Sequence, residues 1–305
     1  MLTPASGYQV ELSRGNQRAV VVEVGGGLRA YTVDGVDVLD GYGPDEICTV
    51  GRGQMLIPWP NRIRDGTYEW EGAELQLDLS EPPRRNAIHG LVRWCNWTVQ
   101  DRGPDRATMA YVLHPSEGYP FAVSLRLEYA LQHGGLTVTT TATNVGGGPC
   151  PFGAGTHPYL TAGTDKIDSC TLTAPGAARM ETDERMIPTG SRPVDGTEYD
   201  FRSAKAIGGV VLDTGYRDLE RDPDGLARTR LEDPASGRAV TLWMDSSYPY
   251  LMLFTGDSVP QEDRRRSGLA VEPMTCAPNA FQSGDGLLRL EPGESFSGSW
   301  GIEVS

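Results

Sequence analysis

The stretch VSLRLEYALQHGGLTVTTTATN, residues 123–144, decides the fold of this chain. From Val123 to Leu131 apolar residues alternate with polar ones, which is the period of a β-strand with one wet face. Gln132-His133-Gly134-Gly135 then reverses the chain, and the alternation resumes from Leu136 with four threonines on one face. The stretch therefore predicts an antiparallel hairpin that forms the backbone of a sheet.

Shorter segments of the same kind occupy the rest of the chain. We predict strands at Tyr8 to Leu12, Arg18 to Val24, Leu28 to Val33, Tyr68 to Trp70, Glu74 to Leu79, Trp94 to Gln100, Ser169 to Thr173, Ala239 to Met244, Tyr250 to Thr255, Leu269 to Glu272 and Ser295 to Val304. Helical periodicity never exceeds about three turns, and glycine (38) and proline (22) supply about a fifth of the residues. These features predict one all-β domain over residues 1–305, mostly antiparallel, with two large sheets packed face to face.

The composition limits the ligands. Lysine and arginine number 27 against 41 aspartate and glutamate residues, which gives a net charge of −14. Such an acidic protein is a poor partner for nucleic acid or an anionic membrane, so a neutral ligand is expected. No basic region followed by an apolar run opens the sequence, and no segment is apolar for long enough to cross a bilayer, which favours a cytoplasmic protein. Five scattered cysteines indicate neither a disulfide framework nor a zinc knuckle.

Two irregular segments interrupt the predicted strands. Residues 51–66 pack glycine, proline, tryptophan and arginine into a loop that would be costly unless it lined something. Residues 152–160, Phe-Gly-Ala-Gly-Thr-His-Pro-Tyr-Leu, hold His157 beside two glycines and a proline, which bend the backbone sharply and keep it still. This segment either presents His157 to a ligand or is a turn whose imidazole is merely hydrogen-bonded.

Two carboxylates lie in unusually apolar surroundings. Glu272 interrupts the apolar strand Gly-Leu-Ala-Val-Glu-Pro-Met-Thr, and carboxylates are rarely buried without a partner or a task. Asp213 ends the apolar run Val-Val-Leu. The structural alternatives are a strand-end Glu that reaches solvent or an arginine, and an Asp that forms a turn. Arg62 and His89 are equally open, although a guanidinium aimed into a cleft would bind hydroxyl oxygens.

Several standard chemistries lack their motifs. The sequence contains no Gly-x-Ser-x-Gly elbow, no Gly-x-x-x-x-Gly-Lys-Ser/Thr phosphate loop and no His-Glu-x-x-His helix. Two histidines with an Asp and a Glu would suffice as metal ligands, but no two of them are close in sequence. The sequence therefore favours a site without a metal.

Five short motifs carry a resemblance to a known family. They are Asn61-Arg62-Ile63, Ile88-His89-Gly90, Thr156-His157-Pro158-Tyr159, Leu212-Asp213 and Val271-Glu272-Pro273-Met274-Thr275. In this order and approximate spacing, through nearly the whole chain, they resemble the aldose 1-epimerases, or galactose mutarotases. The resemblance implies a galactose mutarotase-like β-supersandwich with an open carbohydrate cleft and no cofactor.

The resemblance also implies roles for individual residues. Matched position by position, Glu272 would be the catalytic base and His157 the catalytic acid. Arg62, His89 and Asp213 would hold the sugar. Flat apolar walls for the sugar ring are expected from three aromatic residues near these motifs, Trp59, Tyr159 and Phe281.

The reaction that this resemblance implies needs only one base and one acid. Interconverting the α and β forms of an aldohexose requires removal of the C1 hydroxyl proton and protonation of the ring oxygen. With ordinary pKa values of about 4.3 and 6.5, Glu272 would be ionised at neutral pH and His157 would deliver a proton. The expected protein is a cofactor-independent isomerase of a small sugar, present as a monomer or a homodimer.

Three alternatives remain open at this point. Gly90-Leu91-Val92-Arg93 lacks the second glycine of galactose-preferring members and is similar to bacterial branches that include hexose-phosphate and sulfoquinovose mutarotase-like proteins. For such substrates, arginines would contact the charged C6 group, and the candidates are Arg64, Arg93 and Arg264 to Arg266. Asp213 and Glu272 also fit the paired carboxylates of a glycoside hydrolase. The non-enzymatic alternative is a sugar-binding or sensing protein on the same fold.

Overall fold

The computed structural model describes residues 3–305. Its strands, in chain order, are β1 (Gln9–Arg14), β2 (Gln17–Val22), β3 (Leu28–Val33), β4 (Val36–Asp37), β5 (Met55–Leu56), β6 (Arg62–Arg64), β7 (Thr67–Trp70), β8 (Ala73–Gln76), β9 (Asn86–Ile88), β10 (Thr98–Arg102), β11 (Arg106–Leu113), β12 (Val123–Gln132), β13 (Gly135–Asn144), β14 (Cys150–Phe152), β15 (Gly155–Thr156), β16 (Tyr159–Leu160), β17 (Thr171–Thr173), β18 (Gly176–Thr182), β19 (Pro188–Pro193), β20 (Lys205–Ala206), β21 (Asp213–Leu219), β22 (Ala227–Glu232), β23 (Ala239–Met244), β24 (Tyr250–Phe254), β25 (Leu269–Met274), β26 (Leu288–Leu290) and β27 (Ser295–Val304). One helix, α1 (Ala280–Ser283), and three short 3-10 helices, Pro82–Arg84, Ile167–Ser169 and Glu262–Arg264, complete the elements of these residues.

The predicted hairpin is present as β12 and β13. The two strands pair antiparallel along their whole length, from Val123 opposite Asn144 to Gln132 opposite Gly135. Val123, Leu125, Leu127, Tyr129 and Leu131 are buried while the alternate residues are exposed or half-buried, as the period of two requires. The hairpin lies within a nine-stranded antiparallel sheet of order β10-β11-β12-β13-β27-β23-β22-β17-β20.

A second large sheet carries the residues of chemical interest. It has eight strands in the order β19-β18-β21-β24-β25-β15-β5, with β16 also paired to β25. Buried apolar side chains from both large sheets, such as Leu127 of β12 and Val271 of β25, belong to one hydrophobic cluster. The prediction of an all-β, mostly antiparallel fold with two large sheets is therefore confirmed.

The strand predictions differ in accuracy along the chain. Leu28–Val33, Ala239–Met244 and Ser295–Val304 match the observed strands residue for residue. The strand predicted from Trp94 begins only at Thr98, because residues 92–95 form a turn closed by Cys95 N–H donating to Val92. Among strands of six residues or more, those that the pattern did not reveal are β11, the β18–β19 hairpin, β21 and β22.

Within residues 3–305, no helix has the length and apolar character needed to span a membrane. All five cysteines are free thiols, four of them buried.

The middle of the eight-stranded sheet positions the site. All six residues of β25 are buried. Two short strands, β15 and β16, both pair antiparallel with β25, with Gly155 opposite Met274 and Tyr159 opposite Ala270. His157 and Pro158 connect these two strands, so the register that continues between them places His157 directly opposite Glu272.

Candidate active site

His157 and Glu272 face each other across this register. His157 Nε2 lies 3.4 Å from Glu272 Oε1, and the two side chains are only 7% and 3% exposed. The Pro158 carbonyl accepts a hydrogen bond from Val271 N–H at 3.0 Å, which ties the loop to β25 beside the pair. Chain segments 115 residues apart in sequence thus bring one imidazole and one carboxylate together, with one strand pairing on each side to hold them.

Glu272 is buried with unused hydrogen-bonding capacity. Its Oε2 atom has no hydrogen-bond partner among residues 3–305. Burial raises the pKa of Glu272 well above its usual value, the nearby charge of Asp213 raises it further, and Arg62 opposes the shift. An unpaired carboxyl oxygen in a buried site is costly for the fold, so a ligand hydroxyl is the natural partner for it.

His157 is enclosed by the segment from Gly51 to Gln54. Gly53 N–H donates to the His157 carbonyl at 2.9 Å, and His157 N–H donates to the Gln54 carbonyl at 3.2 Å. A Cβ on Gly51, whose φ is +75°, would lie 2.8 Å from His157 Cδ2. Only glycine combines this φ with so close an approach, so the irregular loop encloses the imidazole by backbone rather than by side chains.

Burial also moves the pKa of His157. It lowers that pKa from 6.5 to about 3, and the positive charges of Arg93, Arg52 and Arg62 add to the effect. The expectation of ordinary pKa values for the pair is therefore corrected, since both groups favour their neutral forms. A neutral imidazole beside a protonated carboxyl holds the same single proton as an imidazolium beside a carboxylate. In either distribution the pair contains one acid and one base.

Arg62 is fixed in the same cavity by a residue that the sequence did not single out. Its Nε and Nη2 atoms donate to the two carboxylate oxygens of Glu81 at 2.9 and 3.0 Å, a bidentate ion pair. Arg62 is only 8% exposed, so the carboxylate also compensates a buried charge. Although burial raises the pKa of Glu81, hydrogen bonds from Arg62, Asn86 and Arg84 hold it below its usual value.

His89 lies against His157 in a left-handed backbone conformation, with a φ of 62°. The two imidazole rings are edge to face, with centroids 5.4 Å apart. His89 Nδ1 accepts a hydrogen bond from Asn61 N–H at 3.2 Å, and burial lowers the pKa of His89 well below 6.5. The ring is therefore neutral with its proton on Nε2, a form that donates one hydrogen bond.

Asp213 completes the group of predicted polar residues. It is the first residue of β21, where it pairs with Phe254, and its side chain is half-buried. Burial raises the pKa of Asp213, and the charges of Arg62 and Arg84 oppose this shift. Asp213 is close enough to Glu272 for its charge to raise that residue's pKa, so the two carboxyls lie in one electrostatic environment.

These residues line a single cavity of about 300 Å³, the lower end of the range for small-molecule sites. Its walls contain both polar and apolar side chains: Arg62, Glu81, Arg84, His89, Arg93, Trp94, His157, Tyr159, Asp213, Met252, Phe254 and Glu272. A larger surface cavity of about 750 Å³ lies around Asp40 and Arg264. Its lining within residues 3–305 includes no histidine, so acid and base chemistry points to the smaller cavity.

The structure does not bring every predicted residue to this cavity. Of the three predicted aromatic walls only Tyr159 lines it. Trp59 and Phe281 are 2% and 4% exposed and pack edge to face in the hydrophobic core, with ring centroids 5.6 Å apart. The apolar surface at the cavity comes instead from Trp94, Met252 and Phe254, which sequence reasoning missed.

Two charged residues of the cavity, Glu81 and Arg84, were missed as functional candidates. Glu81 lies in the polar segment before Pro82, where nothing distinguishes it from a solvated loop residue. Arg93 was noted only as one of several arginines, although its position four residues after His89 places it beside a family motif. Throughout the part of the chain that the structure describes, no group of three or more His, Cys, Asp or Glu side chains is arranged to hold a metal ion.

Comparisons with known proteins agree with this geometry. Over 290 residues the chain is 35% identical to the uncharacterized protein YihR of Escherichia coli strain K12, covering 95% of this chain and 91% of that protein. Two solved structures share the fold: the aldose epimerase homologue from C. elegans (TM-score 0.86, 19% identity, 98% of each chain) and galactose 1-epimerase from Lactobacillus acidophilus NCFM (TM-score 0.81, 20% identity, 97% of this chain and 94% of that one). The family model for aldose 1-epimerase matches residues 8–303, so the chain belongs to the aldose 1-epimerase family.

Proposed function

We propose that this protein is an aldose 1-epimerase that interconverts the α and β anomers of an aldohexose without a cofactor. The observation that carries the proposal is the buried pair of His157 and Glu272, 3.4 Å apart in a cavity of sugar size. A sugar-binding or sensing protein needs hydrogen bonds and apolar surface, but it does not need a buried acid and base held as a pair.

The reaction uses the single proton that the pair holds. The basic member removes the proton of the C1 hydroxyl while the acidic member protonates the ring oxygen, so that the C1–O5 bond breaks and an aldehyde forms. After rotation about C1–C2, the two proton transfers run in reverse and the ring closes on the other face. Each positioned proton transfer contributes roughly 10²–10⁴-fold to the rate.

The remaining residues would hold the sugar while its ring opens. Glu81 fixes the Arg62 guanidinium, which leaves the N–H groups that do not bind Glu81 free to contact sugar oxygens. His89, neutral and protonated on Nε2, would donate one hydrogen bond. Asp213 would accept a hydrogen bond from a hydroxyl, and Tyr159 and Trp94 offer aromatic surface to the ring.

The test is a panel of freshly dissolved α-anomers followed by polarimetry or by NMR exchange spectroscopy. We expect faster anomerisation of at least one unmodified aldohexose, unchanged by EDTA, and no such gain with Glu272→Gln. Release of the phenol from an aryl glycoside would instead support the hydrolase interpretation of Asp213 and Glu272, because an epimerase requires a free reducing end.

A second candidate, an epimerase for a sugar with an anionic group on C6, is favoured by Arg93. The other arginines considered from the sequence have acidic partners: Arg64 pairs with Asp183, Arg264 with Asp40, Arg265 with Glu262, and Arg266 with Asp168 and Asp257. Arg93 lines the cavity and has no acidic partner within residues 3–305. Its Nε is buried without a hydrogen-bond partner, and its Nη2 makes only a 3.4 Å hydrogen bond to the Ile88 carbonyl.

The two candidates make different predictions for kcat/KM. A neutral-sugar enzyme should act on glucose or galactose at least as well as on a 6-phosphate or 6-sulfonate sugar. An anionic-sugar enzyme should prefer the charged sugar by at least about tenfold, or ~1.4 kcal/mol. In that case Arg93→Gln should abolish the preference, whereas Arg64→Gln, the control, should leave it intact because Arg64 is bound to Asp183.

A further inference from the structure

His157 lacks the support that usually orients a catalytic histidine. An imidazole is normally fixed by a hydrogen bond from its second nitrogen to a carboxylate or a carbonyl. Here Nδ1 is buried and has no hydrogen-bond partner anywhere in residues 3–305. The ring must therefore be held in the plane that faces Glu272 by other contacts.

The contact that replaces this hydrogen bond is a stack on Tyr159. The His157 and Tyr159 rings are parallel within 8°, with centroids 5.1 Å apart. They are two residues apart in an extended segment, so both side chains leave the backbone on the same side. The Tyr159 hydroxyl donates to the Val50 carbonyl at 3.0 Å, which fixes the far end of the phenol ring.

A buried ion pair contacts the Tyr159 ring. The Arg52 guanidinium carbon is 4.7 Å from the centroid of the Tyr159 ring, within range of a cation–π contact. Arg52 is 2% exposed, and its Nε and Nη2 atoms both donate to Asp40 Oδ2 at 3.2 and 3.0 Å. A charge buried so completely requires its acidic partner, so Asp40 sets where the guanidinium lies.

Asp40 is itself fixed from several directions. Its second carboxylate oxygen accepts a hydrogen bond from Arg264, and Ser267 Oγ donates to Oδ2 at 2.8 Å. The Asp40 backbone N–H donates to the Tyr159 carbonyl at 2.9 Å, so the carboxylate and the aromatic residue share one frame. Asp40 also lines the 750 Å³ surface cavity and therefore connects that face of the molecule to the site.

We propose that Asp40, Arg52 and Tyr159 are positioning residues that act in series to fix the plane of the His157 imidazole. The inference rests on the proposed function, because it assigns these residues to the proton transfer by His157. None of the three needs to exchange a proton. Arg52 and Asp40 keep the Tyr159 ring in place, and Tyr159 keeps the imidazole directed at Glu272.

The main test is Arg52→Gln. We expect kcat to fall roughly 10- to 100-fold, since a small misplacement of a reacting group has effects of this size, while KM changes less than about threefold. Arg52→Lys keeps the charge but not the planar fork and should recover only part of the rate. The matched control is Arg266→Gln, which removes another ion-paired arginine of low exposure and should lower stability without lowering kcat.

A second measurement does not depend on turnover. The chain has four histidines, so the ring signals of His157 can be assigned by their loss in His157→Asn. In Arg52→Gln we expect those signals to lose the shift caused by stacking on Tyr159 and to titrate at higher pH, because a nearby positive charge is gone. Arg266→Gln should leave both properties as in the wild type.

A folded Arg52→Gln protein with wild-type His157 signals would overturn the proposal, as would a wild-type kcat. If Arg52→Gln does not fold, Tyr159→Leu and Tyr159→Phe replace it. Phenylalanine keeps the stacked ring and leucine removes it, so Tyr159→Leu should lower kcat several-fold more than Tyr159→Phe does. Equal losses of kcat in the two variants would reject the proposal that Tyr159 positions His157. If the wild type anomerises no sugar, the proposed function fails. The NMR comparison still decides whether Asp40, Arg52 and Tyr159 hold the His157 ring in place.

Discussion

The two large sheets differ in the length and regularity of their strands. The nine-stranded sheet is built around two ten-residue strands, β12 and β13, whose alternation is regular from end to end. In the eight-stranded sheet, the strands around the site, β5, β15 and β16, have two residues each. The first region gains its stability from repeated apolar burial. The second depends on loops that hold particular polar side chains against β25.

The site region also contains costly backbone conformations. Three of the eleven non-glycine residues with positive φ among residues 3–305 line the cavity, namely Val50, Asn61 and His89, with φ between 48° and 62°. A β-branched residue such as Val50 strongly disfavours this region. Such local cost persists only where surrounding contacts enforce it, and it concentrates at sites that must hold groups in fixed geometry. The residues around the cavity therefore keep locally unfavourable backbone conformations that hold the side chains of the site in a fixed geometry.

The largest expected effect comes from the acid and base in the site region. Under the proposed mechanism, Glu272→Gln and His157→Asn should each lower kcat by ~10²-fold or more with modest changes in KM, because each would remove a proton-transferring group but little volume. The double variant should be little worse than the poorer single one, since one proton exchange requires both groups. Steady-state NMR exchange rates test this. A Glu272→Gln protein at near wild-type rate would show that the base is another residue.

Stability should respond in the opposite way in the two regions. Leu127→Ala in β12 removes a fully buried side chain and should cost about 2–5 kcal/mol of unfolding free energy, with kcat per folded molecule unchanged. Glu272→Gln should not lower the unfolding free energy, because the buried carboxyl is already incompletely hydrogen-bonded. Urea unfolding of the two variants measures both values. A strongly destabilised Glu272→Gln protein would remove the distinction between a stabilising region and a functional one.

Strands with a regular side-chain pattern could be predicted from the sequence, whereas strands without one could not. β23 and β27 were predicted to the residue because apolar residues recur at alternate positions along most of each strand, as with Val240, Leu242 and Met244 in β23. β19, Pro188–Pro193, was missed because its residues are almost all exposed and include two prolines and a glycine. In such a strand, pairing with a neighbour decides the conformation and the side-chain pattern carries little information.

The site was predictable to the extent that its residues stand in motifs. The pairing of His157 with Glu272 was implied by the resemblance, and the register of β15 and β16 on β25 gives it a physical cause. Glu81 was not predictable, because its role arises only when Arg62 folds against it. Trp59 was placed at the cavity for its aromatic ring, but residue type does not reveal which side of a loop faces the core.

The third prediction separates backbone strain from crowding at the site. Gly51 and Gly237 have the same φ of +75°, but a Cβ on Gly51 would meet His157 whereas one on Gly237 would meet nothing within 4 Å. Alanine at either position should cost about 1–2 kcal/mol of stability through the left-handed backbone. Only Gly51→Ala should also lower kcat, by roughly tenfold or more, because the imidazole must shift. Equal kcat values for the two variants would show that this loop does not set the position of His157.

The smallest expected effect concerns pH. His157 has a folded pKa of about 3 against about 6.5 when unfolded, so below pH 6.5 the unfolded chain binds a proton that the folded protein does not. This group therefore makes the wild type lose stability as pH falls, by up to about 1.4 kcal/mol per pH unit. The raised pKa of Glu272 acts in the opposite direction above its unfolded value. Since both the wild type and His157→Asn keep that carboxyl, the difference between their unfolding free energies reports the contribution of the imidazole alone.

Urea unfolding at pH 7, 6 and 5 would measure this difference. The unfolding free energy of the wild type relative to His157→Asn should decline across the series, because only the wild type has the buried imidazole that resists protonation. His133→Asn, at the exposed turn between β12 and β13, controls for the substitution itself. If the difference stayed constant from pH 7 to pH 5, His157 would gain its proton equally in both states. The imidazole would then be an ordinary imidazolium at acidic pH, and the description of His157 as a buried neutral imidazole would be wrong.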